Sequence, residues 1–588
     1  MSSVNRFWRR AKLPLAVSLV STFAGPAWAL SFNIGEVEAQ LDSELSIGAS
    51  WSTAKADHNL IGANNGGKGQ SQISDDGRLN FKRGETFSKL FAGMHALELK
   101  YGDSGVYVRG KYWYDFELQD DSRPFKQISD RGRKASAQTA GAQWLDAFVY
   151  HNYAIADQPG AVRLGKQVVN WGEAAFIGGG INAINPTDVS AYRRPGTEYK
   201  DGLVPVNLFY LSQNLTDNLS AEAFYQLDWE QSEADNCGTF FSQSDVMADG
   251  CSGNYRVMSK RSALEVAQLS TLTSAGVEVN EEGVLVRRGA DRDARNGGQF
   301  GVAMHYVFEP LDTEFGAFFM NYHSRDPILS GQAAPQSAYN AAIGAGALAP
   351  MIVAGNSSYY VEYPEDIRLY GLSFATTLST GTRWKGELSY RPNAPVQLNS
   401  NDLLYANVTL LPGLAEASPL SVTPGADIQG YRRKEISQFQ TSLAHTFDNG
   451  MGADRMTLIG EVGMTHVAGL EGNSERRYGR DPVFGSAGND GFTTANSWGY
   501  RARAVWEYNH VYPSLRLKPN LAWSHDVSGY SPGPENTFEE GRKAVSVGVD
   551  AEYQNTYTSS LSYTNFFGGR YSTLSDRDFM ALSVGIKF

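Results

Sequence analysis

The sequence predicts an all-β protein, a transmembrane antiparallel up-and-down β-barrel of about 18 strands with long extracellular loops and short periplasmic turns. Three observations predict it. Segments of about 10 to 14 residues alternate apolar and polar side chains from residue 38 to the end. The links between them alternate between tight turns and long irregular stretches. The composition joins 61 Gly, 30 Tyr and 29 Phe to only 19% charged residues, at a mean hydropathy of −0.35. A barrel strand turns one face to lipid and the other to water, which gives this mixture. No run beyond the first 29 residues reaches the roughly 18 apolar residues of a spanning helix.

The elements follow in order. Residues 1–29 read as an export signal. Arg6, Arg9, Arg10 and Lys12 precede the apolar "LPLAVSLVSTFAG", and Ala27 and Ala29 set a cleavage point before Leu30. Removing those four basic residues from 51 leaves 47 against 63 acidic side chains, a net of −16. Such a surface excludes nucleic acid as a partner. The rest, 30–588, reads as one barrel. Its strands are expected at 38–54, 92–102, 105–117, 143–153, 160–169, 203–212, 217–230, 297–308, 312–324, 366–379, 381–392, 434–446, 455–467, 496–509, 512–528, 540–554, 555–567 and 577–588. In "VYVRGKYWYDF", Val106, Val108, Tyr112, Tyr114 and Phe116 share one face, and Tyr107, Arg109, Lys111, Trp113 and Asp115 the other. Tight turns are read at "YGDSG", "ADQPG", "NLTDN", "EPLD", "STGT", "DNGMGAD" and "NHVYP". An even count returns both ends to the periplasmic side. The last strand, "FMALSVGIKF", carries Met580, Leu582, Val584, Ile586 and Phe588 on one parity. It must pair with the first strand, since an open edge is not viable in lipid. Its final Phe588 resembles the signal read by the bacterial barrel-assembly machinery.

Charges of both signs fall on the faces opposite the apolar ones: Arg109, Lys111, Asp115, Lys385, Glu387, Arg391, Arg501, Arg503, Glu507, Asp550 and Glu552. They would be ruinous in a dry core, but cost little against a wet lumen. Most would solvate and cross-link the inner wall. The segment "NWGEAAFIGGGINAINPTDVSAYRRPGTEYKDGLVPV" is too long for a rim turn. It is expected either to fold inward as a constriction, offering Asp188, Arg193, Arg194, Glu198 and Lys200, or to stay an outer loop with an internal salt bridge. Cys237 and Cys251, the only cysteines, read as one disulfide in the loop 231–296. The loops 331–355 and 403–422 are apolar for exposed tips. They would receive a hydrophobic molecule, or pack on each other, on lipid or across a subunit boundary.

Enzyme chemistry finds no footing in the sequence. "GYSPG" presents Ser531 as a nucleophile-elbow serine, yet no histidine follows His525. "YGDSG" places Ser104 in a two-strand turn, and neither HExxH nor a phosphate-binding loop occurs. No metal site and no cofactor are expected.

Three stretches carry a family likeness: "LSFNIGEVEAQLDSELSIGASW", "DDGRLNFKRG" and the long segment quoted above. Together they resemble the proteobacterial outer-membrane family catalogued as domain of unknown function 1302, over the whole chain from about residue 31. The resemblance implies a large outer-membrane barrel. It also implies work beside a periplasmic lipoprotein-sorting-like partner and an inner-membrane transporter of the resistance–nodulation–division class, moving hydrophobic compounds. The expected function is therefore an outer-membrane channel for small organic cargo. The alternatives are a general or anion-leaning porin and a structural or adhesive surface protein.

Overall fold

The structure is a computed structural model and describes residues 30–193, 198–258 and 262–588. The expected leader and Arg194 lie outside these residues. Among the described residues, alternating segments become eighteen strands of one closed sheet. They are β1 Val37–Ser52, β2 Thr86–Tyr101, β3 Ser104–Asp115, β4 Ala140–Ile155, β5 Gln158–Gln167 and β6 Val206–Asn214. Then come β7 Leu219–Gln226, β8 Phe300–Phe308, β9 Thr313–Tyr322, β10 Ile367–Thr377, β11 Arg383–Gln397 and β12 Tyr431–Asp448. The last are β13 Arg455–Ala468, β14 Asn496–Tyr512, β15 Leu515–Ser528, β16 Arg542–Tyr553, β17 Tyr557–Gly568 and β18 Phe579–Lys587. Each pairs antiparallel with its neighbour in sequence, and β18 pairs with β1 from Glu44↔Lys587 to Ser52↔Phe579. Closure leaves no open strand edge along the wall.

Alternation sets the two faces. Outward positions carry exposed apolar side chains: Val302, Leu372, Leu388, Phe439, Val462, Val547 and Leu582 among them. Their inward neighbours Glu387, Gln438, Gln440, Glu461 and Ser546 are buried. The tight turns share one rim. At the β4–β5 turn Ala156 and Asp157 both take positive φ, 50° and 65°, the twist that a two-residue hairpin requires. "NHVYP" is not a turn in its own right: β14 runs on to Tyr512 through an irregular register, and Pro513–Ser514 turns the chain. β2 begins six residues before its expected start. Lys89 interrupts the alternation there but is held by Glu117 at 2.7 Å. A short strand outside the expected set, Leu30–Ile34, pairs with the start of β1 through Leu30↔Leu41.

The long connections share the opposite rim and pack into a cap with its own core. Ile73, Val246, Tyr359, Val396, Leu398 and Tyr478 meet there from five parts of the chain. The two apolar loops pack on each other: Ala338, Tyr339 and Met351 join Leu411 in one cluster, and Tyr339 Oη donates to Asn407 O at 2.8 Å. Cys237 and Cys251 form a disulfide in this cap, with Cα atoms 6.3 Å apart.

Candidate functional site: a segment across the lumen

The connection after β5 does not stay in the cap. It enters the barrel at a neck cinched by Asn185, whose Oδ1 accepts the Val169 N–H at 2.9 Å while Nδ2 donates to Gln167 O and Val204 O. Asn182 Oδ1 then accepts the N–H groups of Trp171 and Gly172. The chain reaches wall carboxylates on β11 and β13, the latter eight strands from β5 in a ring of eighteen. Glu387 accepts the N–H of Glu173 at 2.6 Å and of Ile181 at 2.9 Å, together with Gln440 Nε2 at 2.6 Å. Glu461 accepts three successive N–H groups, from Ala175, Phe176 and Ile177, at 2.8, 2.7 and 2.8 Å. Gln438 Nε2 donates to Gly178 O at 2.7 Å, and Lys385 Nζ lies 2.6 Å from Glu173 Oε2. Hydrogen bonds to a charged group contribute about 1.5–3 kcal/mol each, so two carboxylates with five backbone donors fix this segment firmly.

Glycines on both partners make the approach possible. A Cβ on Gly180 would stand 1.8 Å from Glu387 Oε1. In the wall, Gly301 faces Trp171, Gly371 faces Ile181 and Gly463 faces Ile177, each within 2.9 Å of where a Cβ would sit. Trp171 lies 5.1 Å from the Phe224 ring and 5.8 Å from Phe318, and its Nε1 donates to Glu222 at 2.6 Å. Ile181 and Ile184 join Leu208, Met320 and Leu369 in an apolar core inside the barrel. The side of the lumen lined by β6–β10 is therefore packed.

Above the segment's tip a cavity of about 740 Å³ remains, bounded by Phe176 and Ile177, by the wall at Arg501, Ala544 and Phe566, and by the cap. Phe241, Tyr530, Phe538 and Tyr571 add rings to its lining. Arg501 and Arg542 share Asp526 at 2.7 Å each, and Arg542 also meets Glu539 at 3.1 Å. Burial pushes the Glu539 carboxyl up to about 7, with the Asp526 and Asp481 carboxylates adding to the effect. Burial likewise pushes Asp481 up to about 6.

The other expected site residues distribute as follows. Arg109 pairs with Asp146 at 2.6 Å, and Lys111 lies over the Trp113 ring at 5.3 Å. Arg391 pairs with Glu535, and Glu507 lies 3.9 Å from Arg455. Asp550 accepts from Asn520 at 3.0 Å, Glu552 lies 3.7 Å from Arg516, and Arg503 is paired across to Ala522. Asp115 is not a wall charge open to the lumen. It is buried and caps the helix Phe116–Asp120, accepting the Glu117 and Leu118 N–H groups. The constriction candidates divide. Asp188 caps the turn Val189–Tyr192, and Glu198 pairs with Lys200 at 2.8 Å. Arg193 borders the cavity, but is held by Asp235 and lies over Phe241. The part that reaches the far wall is 173–181, with Glu173 as its one charge. Phe588 ends the seam, its N–H donating to Ser43 O at 2.9 Å.

Sequence reading missed Glu461, Gln438 and Gln440, although each occupies an inward position of an expected strand. A polar residue alternating with Val462 and Met464 was the available signal. In the cap, three buried carboxylates meet at Asp75, Asp76 and Asp245. Gly62 and Asn65 donate to Asp75, Lys126 Nζ lies 3.0 Å from Asp76, and the Asp76 N–H donates to Asp245.

Comparison with known proteins adds the following. No curated protein sequence matches the chain. OccAB1 of Acinetobacter baumannii is 8% identical, over 94% of this chain and 96% of its own, at a TM-score of 0.39. OccK2 (OpdF) of Pseudomonas aeruginosa is 8% identical, over 94% and 97%, at 0.38. A BenF-like porin from Pseudomonas fluorescens Pf-5 is 9% identical, over 94% and 98%, at 0.39. Likenesses this slight decide nothing about what passes through this barrel. The family model described as "Protein of unknown function (DUF1302)" matches residues 10–588, nearly the whole chain, and the protein belongs to that family.

Proposed function

We propose that this protein is an outer-membrane channel for small organic molecules, hydrophobic or lipid-like ones above all, with flux passive or coupled to envelope partners. One observation carries the reading: the segment 173–181 crosses the lumen, Trp171, Ile181 and Ile184 in and beside it fill one side with apolar packing, and a cavity lined by aromatic rings and by charged side chains remains beyond its tip. Aromatic rings offer large apolar contact with polar edges, which suits such cargo. The exposed apolar band on the outer wall supports a lipid surrounding. The partners we propose with it are outer-membrane lipid, the assembly machinery at Phe588, and the periplasmic and inner-membrane proteins that the family resemblance implies. Proteoliposomes loaded with protein test the reading. With entry into protein-free liposomes subtracted, faster entry of a hydrophobic fluorophore than of a sugar of equal size supports it, and equal entry of both refutes it.

A second reading, a porin leaning toward anions, draws on Arg501 and Arg542 meeting at Asp526 in the cavity wall, with Glu539 beside Arg542. A large steady ion conductance with chloride preference at neutral pH would favour it over the first.

A further inference from the structure

We propose that the outer wall binds one phospholipid of the periplasmic leaflet at the seam between β18 and β1. This rests on the outer-membrane reading above. The outer face is not flush at the seam. Ala551 and Ser559 are small side chains between large ones, and they leave a groove of about 470 Å³ walled by Tyr553, Tyr557, Ile47 and Phe91. That volume lies within the roughly 300–1,000 Å³ of small-molecule sites. The groove lies beside the 554–556 turn, hence near the short-turn rim.

A polar cluster lies beyond the groove's Phe91, outside the lining itself, where the Tyr112 ring stands 6.1 Å from the Phe91 ring. Ser43 stands two residues before Leu45 on the same face of β1, about 7 Å along the strand. It pairs with His95 of β2, whose Nδ1 lies 2.9 Å from Ser43 Oγ. His95 Nε2 lies 3.4 Å from the Tyr112 hydroxyl, and the two rings stack at 5.7 Å. Tyr112 can lean there because Gly93 has no side chain to block it. Imidazole and hydroxyl groups on a lipid-facing wall are costly against hydrocarbon alone. They suit a headgroup phosphate, to which the Tyr112 O–H can donate while His95, its ring nitrogens turned to Ser43 and Tyr112, positions that hydroxyl. An apolar slot with the Tyr112 hydroxyl beyond its interfacial end fits an amphipathic molecule with its head toward the short-turn rim. In an outer membrane, the phospholipids occupy that leaflet.

The test places the full-length protein in nanodiscs with phosphatidylethanolamine bearing a photoreactive acyl chain, and maps the adducts by mass spectrometry. Adducts are expected to concentrate on 551–559 and 584–586. Ser559→Phe, which fills the groove, should reduce them at least five-fold, and His95→Leu several-fold. Gly460→Leu adds bulk to open space on the outer wall of β13 and should change nothing. Adducts spread evenly around the wall, or undiminished by Ser559→Phe, overturn the proposal and leave the outer-membrane reading standing. Failure of the wild-type chain to enter lipid at all would overturn that reading instead.

Discussion

Glu461 shows at the residue scale how a wall side chain can govern the lumen. Three backbone donors converge on it, and with only 2% of its surface exposed it has no water to replace them. Glu461→Ala should lower stability by roughly 3 kcal/mol or more, the cost of several lost charge-assisted bonds, read as an earlier unfolding midpoint in detergent. The same variant should conduct more, and more noisily, because the segment loses its far anchor. Gly180→Ala should also enlarge conductance, since the added carbon collides with Glu387. Glu539 supplies a pH prediction. Its carboxyl rises from an ordinary 4.5 to about 7 in the folded protein. The folded state thus prefers the neutral acid. The stability from this group is complete below 4.5 and lost as pH rises through about 7. Glu539→Gln should flatten that part of the stability profile. Between pH 8 and pH 5 the cavity sheds negative charge at Glu539 and then at Asp481, so reversal potentials should move toward anion preference. An unchanged reversal potential would refute the placement of these acids on the conducting route.

The element scale explains what the sequence could and could not reveal. Strands were legible because their signal is local: the alternation in β3, β11, β14 and β16 is visible within a dozen residues, and each lies where that alternation places it. The strict order of tight turn and long loop gave the two rims. The crossing segment was legible only as an oddity. Its anchors lie 206 and 284 residues away in sequence, at Glu387 and Glu461, and no period links them. Charge drew the sequence reading to 188–200, whereas backbone donors and glycines do the crossing at 173–181. The apolar loops 331–355 and 403–422 were visible as unusual, and the resolution among the offered options is mutual packing. Trp171 offers an element-level test. Trp171→Ala empties a site between Phe224 and Phe318 and should cost about 3–5 kcal/mol, measured by urea unfolding. A loss below 1 kcal/mol would mean that the apolar core inside the barrel is not formed.

For the whole molecule, the closed ladder and the outward apolar band together call for a membrane. The folded protein should migrate anomalously on gels until heated, and should sediment with outer-membrane vesicles. Closure also explains why eighteen strands of such unequal length are tolerated: β7 spans only Leu219–Gln226, yet it is paired on both sides. The crossing segment should set the size of the passage. Single-channel recording in planar bilayers, comparing the wild type with a variant whose residues 172–183 are replaced by a short Gly-Ser link, tests it most directly. A small wild-type conductance that grows several-fold in the variant is the expected result. Equal conductance from two folded, heat-modifiable proteins would contradict it.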